Sequence, residues 1–234
     1  MHIYIIRHGE SLATLDPTLF GRQDPVTIPL SEWGYEQAVE AGSCIKNIYS
    51  KPEFSGRKLK IYYSPHHRIV QSKDGFLQGF GEIDASNIIE DTLLREREHG
   101  DFNGLDHTAQ QTKNREIFNL LHSENHQVRY TTKMPNGESI QDVQNRMLEF
   151  LTKLKNNARE NEDIVIITHG GNCRALADNL THPPVTWMSD FTPPGTGDII
   201  EITTDLNEPG IERQIHFGKK RPPNLPVNYK TAPY

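Results

Sequence analysis

Three short, mostly apolar runs constrain this chain more than any other feature, because each one breaks off in basic residues. His2 to Ile6 leads into Arg7-His8-Gly9-Glu10, Leu59 to Tyr63 into Ser64-Pro65-His66-His67-Arg68, and Ile164 to Ile167 into Thr168-His169-Gly170-Gly171. Isoleucine-rich runs of this length read as buried strands that end in loops. Between them lie helical patterns. Ile140, Val143, Met147, Phe150, Leu151 and Leu154 form a stripe entered through Asn136-Gly137-Glu138-Ser139. A second helix is expected from Ser31 as N-cap through Ala38, Ala41, Ile45 and Ile48, stopping before Pro52, with Gly34 and Gly42 weakening it modestly.

Strands alternating with helices imply an α/β fold, a single three-layer domain with a mostly parallel central sheet flanked by helices. Loops after the carboxyl ends of such strands gather on one edge, where ligands bind. That rule brings Arg7, His8, Arg68 and His169 together. The domain is expected over residues 1–218, with 101–135 as a helical insertion or lid. Asp198 to Ile202 reads as a further strand, Ile215 to Phe217 as a short one, and the proline-rich 219–234 as an extended tail.

Composition removes several classes of function. A formal net charge of -6 argues against nonspecific nucleic-acid binding, so any site for an anion must concentrate its arginines locally. No apolar run approaches the roughly 20 residues that span a bilayer, and the first residues lack a secretory pattern, so no membrane association and a cytoplasmic location are expected. Cys44 and Cys173 begin no CxxC pair, and neither is followed by five residues and then an arginine as in cysteine phosphatases. His122 and His126 are spaced i, i+4 without the His-Glu-x-x-His order, so no metal site is expected there. There is no phosphate-binding Gly-x-x-x-x-Gly-Lys loop either.

What the strand-end residues suit is phosphoryl transfer, which needs fixed cations, an in-line nucleophile and an acid for the leaving oxygen. Guanidinium forks of Arg7 and Arg68 bind phosphate oxygens in paired hydrogen bonds at any working pH. His8 can attack phosphorus through a neutral ring nitrogen if its other nitrogen donates to a carbonyl, and His169 can bridge the phosphoryl oxygens.

Taken in order, Arg7-His8-Gly9-Glu10, Ser64-Pro65-x-x-Arg68, Leu94-x-Glu96-x-x-x-Gly100, Pro135-x-Gly137-Glu138-Ser139 and His169-Gly170-Gly171 resemble the histidine phosphatase superfamily, also called phosphoglycerate-mutase-like. The resemblance runs from Met1 to about Leu180. It implies that His8 is the phosphorylated nucleophile, that Arg7, Arg68 and His169 complete the phosphate pocket, and that Glu96 is the acid and later the base. It also implies substrate contacts at Gly21, which falls with Asp24 in a Gly-x-x-Asp loop, at Gly170, and at Thr14, which stands where many members have asparagine.

Mutase members carry adjacent arginines in a longer insertion and a tyrosine three residues after the acid. Here Arg115 and Arg129 are isolated and His99 takes the tyrosine's place. The expectation is therefore a metal- and cofactor-independent phosphatase acting on a small phosphorylated substrate. The alternatives are a cofactor-dependent phosphoglycerate mutase and a non-catalytic phosphate-binding module. Oligomeric state is not written in the sequence. Glu138 and Ser139 read as helix-start residues, Arg146 and Arg174 as structural, Cys173 as a packed apolar residue, and His66 and His67 as rim or packing.

Overall fold

The computed structural model describes residues 1–181, 194–207, 212–216, 218–222 and 232, with backbone only for 212–215. The three basic-ended runs become β1 (His2–Arg7), β2 (Lys58–Tyr63) and β4 (Glu162–Thr168); β3 (Ile88–Glu90), β5 (Ile199–Thr203) and β6 (Glu212–His216) complete one sheet in the order β3-β2-β4-β1-β5-β6. Pairings among β1 to β4 are parallel, and β5 and β6 add an antiparallel margin beyond β1. Phe217, the expected end of the last strand, lies outside the described residues.

Side chains of a strand alternate between faces, and here both faces are covered, which is why the runs show no polar alternation. Ile3, Ile5, Ile164 and Ile166 enter one core with Val143, Met147, Phe150 and Leu176, whereas Tyr4, Ile6, Val165 and Ile167 enter the other with Ala41, Ile45, Ile69 and Phe76. The first core lies under α7 (Ile140–Asn157) and α8 (Gly170–Thr181), the second under α2 (Glu32–Tyr49) and α3 (His67–Phe80). Each fully buried branched side chain contributes about 2 kcal/mol of transfer free energy, so the alternation strongly fixes strand register.

Local sequence explains the helix starts. Ser31 caps α2 by accepting from the Gly34 amide, and Ser139 caps α7 in a reciprocal box with Asp142. Gly34 and Gly42, costly for helix propensity, serve packing. A Cβ on Gly34 would sit 2.0 Å from the Glu10 carbonyl oxygen, and one on Gly42 2.0 Å from that of Phe76.

A four-residue α1 (Leu12–Leu15) follows β1. Between 106 and 131 the chain forms three short helices, α4 (His107–Lys113), α5 (Arg115–Leu121) and α6 (His126–Thr131), none with a fully buried residue. Of the proline-rich segment, Lys219 lies over the Trp33 ring, Arg221 pairs with Glu10 at 2.5 Å, and Ala232 is buried with its amide bonded to Leu30. No helix among the described residues is long and apolar enough to cross a membrane.

Candidate active site

β4 lies between β2 and β1, in a register that pairs Thr168 with Arg7 and Ile167 with Tyr63. The residues just past the three strand ends, His8, Ser64 and His169, are thereby set side by side. His8 and His169 meet edge to face with ring centroids 5.5 Å apart. Gly9 lets the His8 loop lie against α2, since a Cβ there would fall 1.9 Å from the Gly34 carbonyl oxygen.

His8 is 5% exposed, and its Nδ1 lies 2.7 Å from the Gly9 carbonyl oxygen. A carbonyl only accepts, so Nδ1 carries the proton and Nε2 keeps its lone pair. Burial, with the positive charge of Arg68 and Arg7 and the neighbouring His169, holds the pKa of His8 well below the ordinary imidazole value. The ring is thus an uncharged base at neutral pH.

Arg68, 1% exposed, comes from the first turn of α3. Its Nη1 donates to the Pro25 carbonyl at 2.7 Å, while Nη2 stands 3.1 Å from Nδ1 of His169 and 3.4 Å from Glu96. His169 has no exposed surface; its Nδ1 is also 3.2 Å from Glu96, and its Nε2 is 3.0 Å from the Ser64 hydroxyl. One nitrogen thus faces a donor and an acceptor at once. It accepts from Arg68 in one tautomer and donates to Glu96 in the other.

Arg7 donates through Nη1 to Pro194 at 2.8 Å, and its buried Nε has no partner. Gly170, the first residue of α8, packs so close that a Cβ would come within 3.3 Å of that Nε.

Glu96 reaches the cluster from a loop after β3. Leu94 anchors the loop with no exposed surface, and its backbone is clamped from several sides. Arg146 donates to the carbonyls of Leu93 and Arg95, and Asn172 to those of Leu94 and Arg95. Glu138 accepts from Arg146, Arg95 and the Glu98 amide. Glu138 therefore does not serve the start of α7 as its position suggests; Ser139 and Asp142 do that, and Glu138 holds the acid loop. Burial opposes ionisation of Glu96, but His169 and Arg68 outweigh it and keep the carboxyl well below the usual carboxylate range.

Two residues expected to touch substrate have local partners in the structure. The Thr14 hydroxyl accepts from the Ser11 amide at 3.2 Å in the cap of α1. Gly21 is exposed and ends a 3₁₀ turn against Gly104. The loop beginning there reaches the site through the carbonyl of Pro25. Pro25, Ser64, Asn172 and the Glu138–Arg146 pair were not marked by the sequence as site residues, because the site groups they hold, Arg68, His169 and the Glu96 loop, are dozens of positions away.

His8, Glu96 and His169 are also the group of possible metal ligands among the described residues, with ligand atoms within 4.8 Å of one another. Arg68 stands among them, so a cation would have to displace a buried guanidinium. Cys173, buried in the first core, has its thiol pKa raised by burial and offers no thiolate.

Fold and site together define an α/β protein with two histidines, two arginines and a glutamate gathered at the carboxyl ends of its parallel strands. The sequence profile of the histidine phosphatase superfamily (branch 1) matches residues 3–215, and the chain belongs to that family. It is 30% identical over 178 residues to a 2,3-bisphosphoglycerate-dependent phosphoglycerate mutase of Bartonella tribocorum, an alignment covering 74% of this chain and 78% of the relative. Among solved structures it is similar to a mycobacterial glucosyl-3-phosphoglycerate phosphatase in complex with inorganic phosphate, with a TM-score of 0.66, 22% identity and coverage of 92% and 95% of the two chains. The α-ribazole phosphatase of Shigella flexneri matches with a TM-score of 0.66 at 20% identity, covering 87% and 90%.

Proposed function

We propose that this protein is a metal-independent phosphatase that hydrolyses small phosphomonoesters through a phosphohistidine on His8. The observation that carries the reading is the His8 tautomer: Nδ1 is committed to the Gly9 carbonyl at 2.7 Å, leaving Nε2 free to attack beside two guanidinium groups. In the first step the Nε2 lone pair forms a bond to phosphorus, the bond from phosphorus to the leaving oxygen breaks, and that oxygen takes a proton from Glu96. In the second, water attacks phosphorus, gives a proton to Glu96, and the P–N bond breaks. Arg7 and Arg68 hold the phosphoryl oxygens throughout.

Glu96 is ionised in the free protein, so the proton it delivers has to arrive with the substrate. A phosphomonoester monoanion, with a second pKa of about 6, supplies one. The histidine in the tyrosine's place at 99 and the placing of Arg115 and Arg129 on separate helices, not adjacent in the chain, support hydrolysis over mutase chemistry. The sequence relation to a phosphoglycerate mutase keeps interconversion as the second reading.

A phosphate-release assay on alkyl and aryl phosphates tests the choice. Both should release phosphate without added metal, and Glu96→Gln should slow alkyl esters by about 10²–10³-fold and aryl esters far less, because only poor leaving groups need the acid. Equal losses would remove Glu96 from that role. Fast interconversion of 2- and 3-phosphoglycerate with bisphosphoglycerate, and little free phosphate, would overturn the reading.

A further inference from the structure

His66 is a buried titratable group that the mechanism above does not use. It is 7% exposed, its ring meets that of His169 edge to face at 4.8 Å, and its buried Nδ1 has no hydrogen-bond partner. Buried polar atoms are almost always paired, and a leucine would fill the same space without leaving one orphaned, so packing alone explains this residue poorly.

The ring lines a cavity of about 350 Å³ that also includes Glu96 in its wall. In the proposed reaction the acid protonates the leaving oxygen, which puts the leaving group on the side of Glu96, the side on which this cavity opens. Its volume is near the lower end for small-molecule sites, roughly 300 Å³, enough for one sugar-sized group.

Burial, reinforced by His169 and Arg68, pushes His66 down to about 3, so the ring is uncharged at neutral pH and offers one N–H and one lone pair. A hydroxyl, donor and acceptor at once, is the natural complement of such a ring. Wall charge points the same way. Carboxylates at Asp24, Glu96 and Glu98 face guanidiniums at Arg95 and Arg97, and Arg95 is already bonded to Glu98 and Glu138. Three carboxylates against two guanidiniums leave a second anion on the substrate no surplus of positive charge; Arg97 Nη2, buried without a partner, adds one more donor for a hydroxyl oxygen, and Phe20 and Val26 give the C–H face of a polyol something apolar to cover.

We infer that His66 is a specificity-determining residue that hydrogen-bonds a hydroxyl of the leaving group, and that the preferred substrates are phosphate monoesters of uncharged polyols or sugars. The inference rests on the phosphatase reading and deepens it.

The test compares kcat/KM for glycerol 3-phosphate and ribose 5-phosphate with that for phenyl phosphate, in wild type, His66→Asn and His66→Leu. The polyol-to-phenyl ratio should fall at least about tenfold in His66→Leu, mainly through KM, with His66→Asn between the two, because an orphaned hydroxyl is what the apolar variant creates. Wild type should also prefer glycerol 3-phosphate to 3-phosphoglycerate, which differs at the carboxylate. An unchanged ratio in His66→Leu, or a wild-type preference for 3-phosphoglycerate, overturns the inference while leaving the phosphatase standing. If wild type releases no phosphate even from phenyl phosphate, the phosphatase reading itself has failed and the inference goes with it. Should the leucine variant not fold, the asparagine variant carries the same ratio test.

Discussion

Strand β4 buries an ionisable group near each end, and the two are satisfied in opposite ways. Near its start Asp163, with no exposed surface, accepts from Arg57 through Nε and Nη2 at 2.5 Å each, from the Tyr49 hydroxyl at 2.8 Å and from the His2 amide at 2.7 Å. Just past the other end His169 shares one nitrogen between Arg68 and Glu96, and around it Arg7 Nε, His66 Nδ1 and Arg97 Nη2 are buried without partners. An unpaired buried polar group costs about 1–3 kcal/mol. Asp163 avoids that cost by completing its hydrogen bonds internally, and the buried group left without a partner beside it is a neutral one, the Tyr4 hydroxyl. The His169 end holds donors and lone pairs in place for a group that arrives from outside. Buried charge on this strand is structural where its bonds are complete and poised for a ligand where they are not.

Substitutions at the two ends should therefore separate activity from stability. The largest effect belongs to His8→Ala, which should lower kcat for any phosphomonoester by at least about 10⁴-fold while the unfolding midpoint in urea stays close to wild type. Residual turnover within tenfold of wild type would move the nucleophile elsewhere.

At the other end Asp163→Ala should cost about 3 kcal/mol of unfolding free energy, because it strands a buried guanidinium, with kcat per folded molecule unchanged. The linkage has a definite sign. Burial opposes ionisation of Asp163, but Arg57 and the other donors depress its pKa in the folded state. Its contribution is present above the unfolded carboxylate value of about 3.9 and is lost as pH falls through the lower folded value. The variant should lose less stability on acidification than wild type.

The smallest effect is a pH profile. His8 has a lowered pKa, so its nucleophilic form persists on acidification from pH 7 to about 5 and kcat/KM for alkyl esters should not fall there. Above pH 6 the monoanion that brings the proton for Glu96 is depleted, and kcat/KM should decline about tenfold per unit. An acid-side fall near 6.5 would mean that His8 titrates as an ordinary imidazole.

The strand ends were legible in the sequence because doubly covered strands leave unbroken apolar runs, and a run that stops at Arg-His-Gly or His-Gly-Gly announces its loop. The antiparallel margin was less so, since Ile199–Thr203 shows nothing in its composition that separates parallel from antiparallel pairing. β3 went unread because Ile88–Glu90 is too short to show a period, and α3 because its buried face includes Arg68, Gln71 and Ser72. Glu96 lies in a run of alternating charges that reads as a solvated face. Only its spacing to Gly100 and the family resemblance marked it, because what holds it, Arg146, Asn172 and Glu138, comes from other elements. His66 and His67 look alike in sequence. The start of α3 separates them, burying the first beside His169 and leaving the second partly exposed in the first turn.

The central claim is that the phosphoryl group lands on the free nitrogen of His8. Rapid acid-free quenching of the protein during turnover, followed by peptide mass spectrometry, tests it directly. The account requires one phosphoryl group on the peptide carrying residues 7–9, acid-labile and base-stable as a phosphoramidate is, and absent from His8→Ala. Steady turnover with that peptide unmodified, or with the label on another side chain, would contradict it.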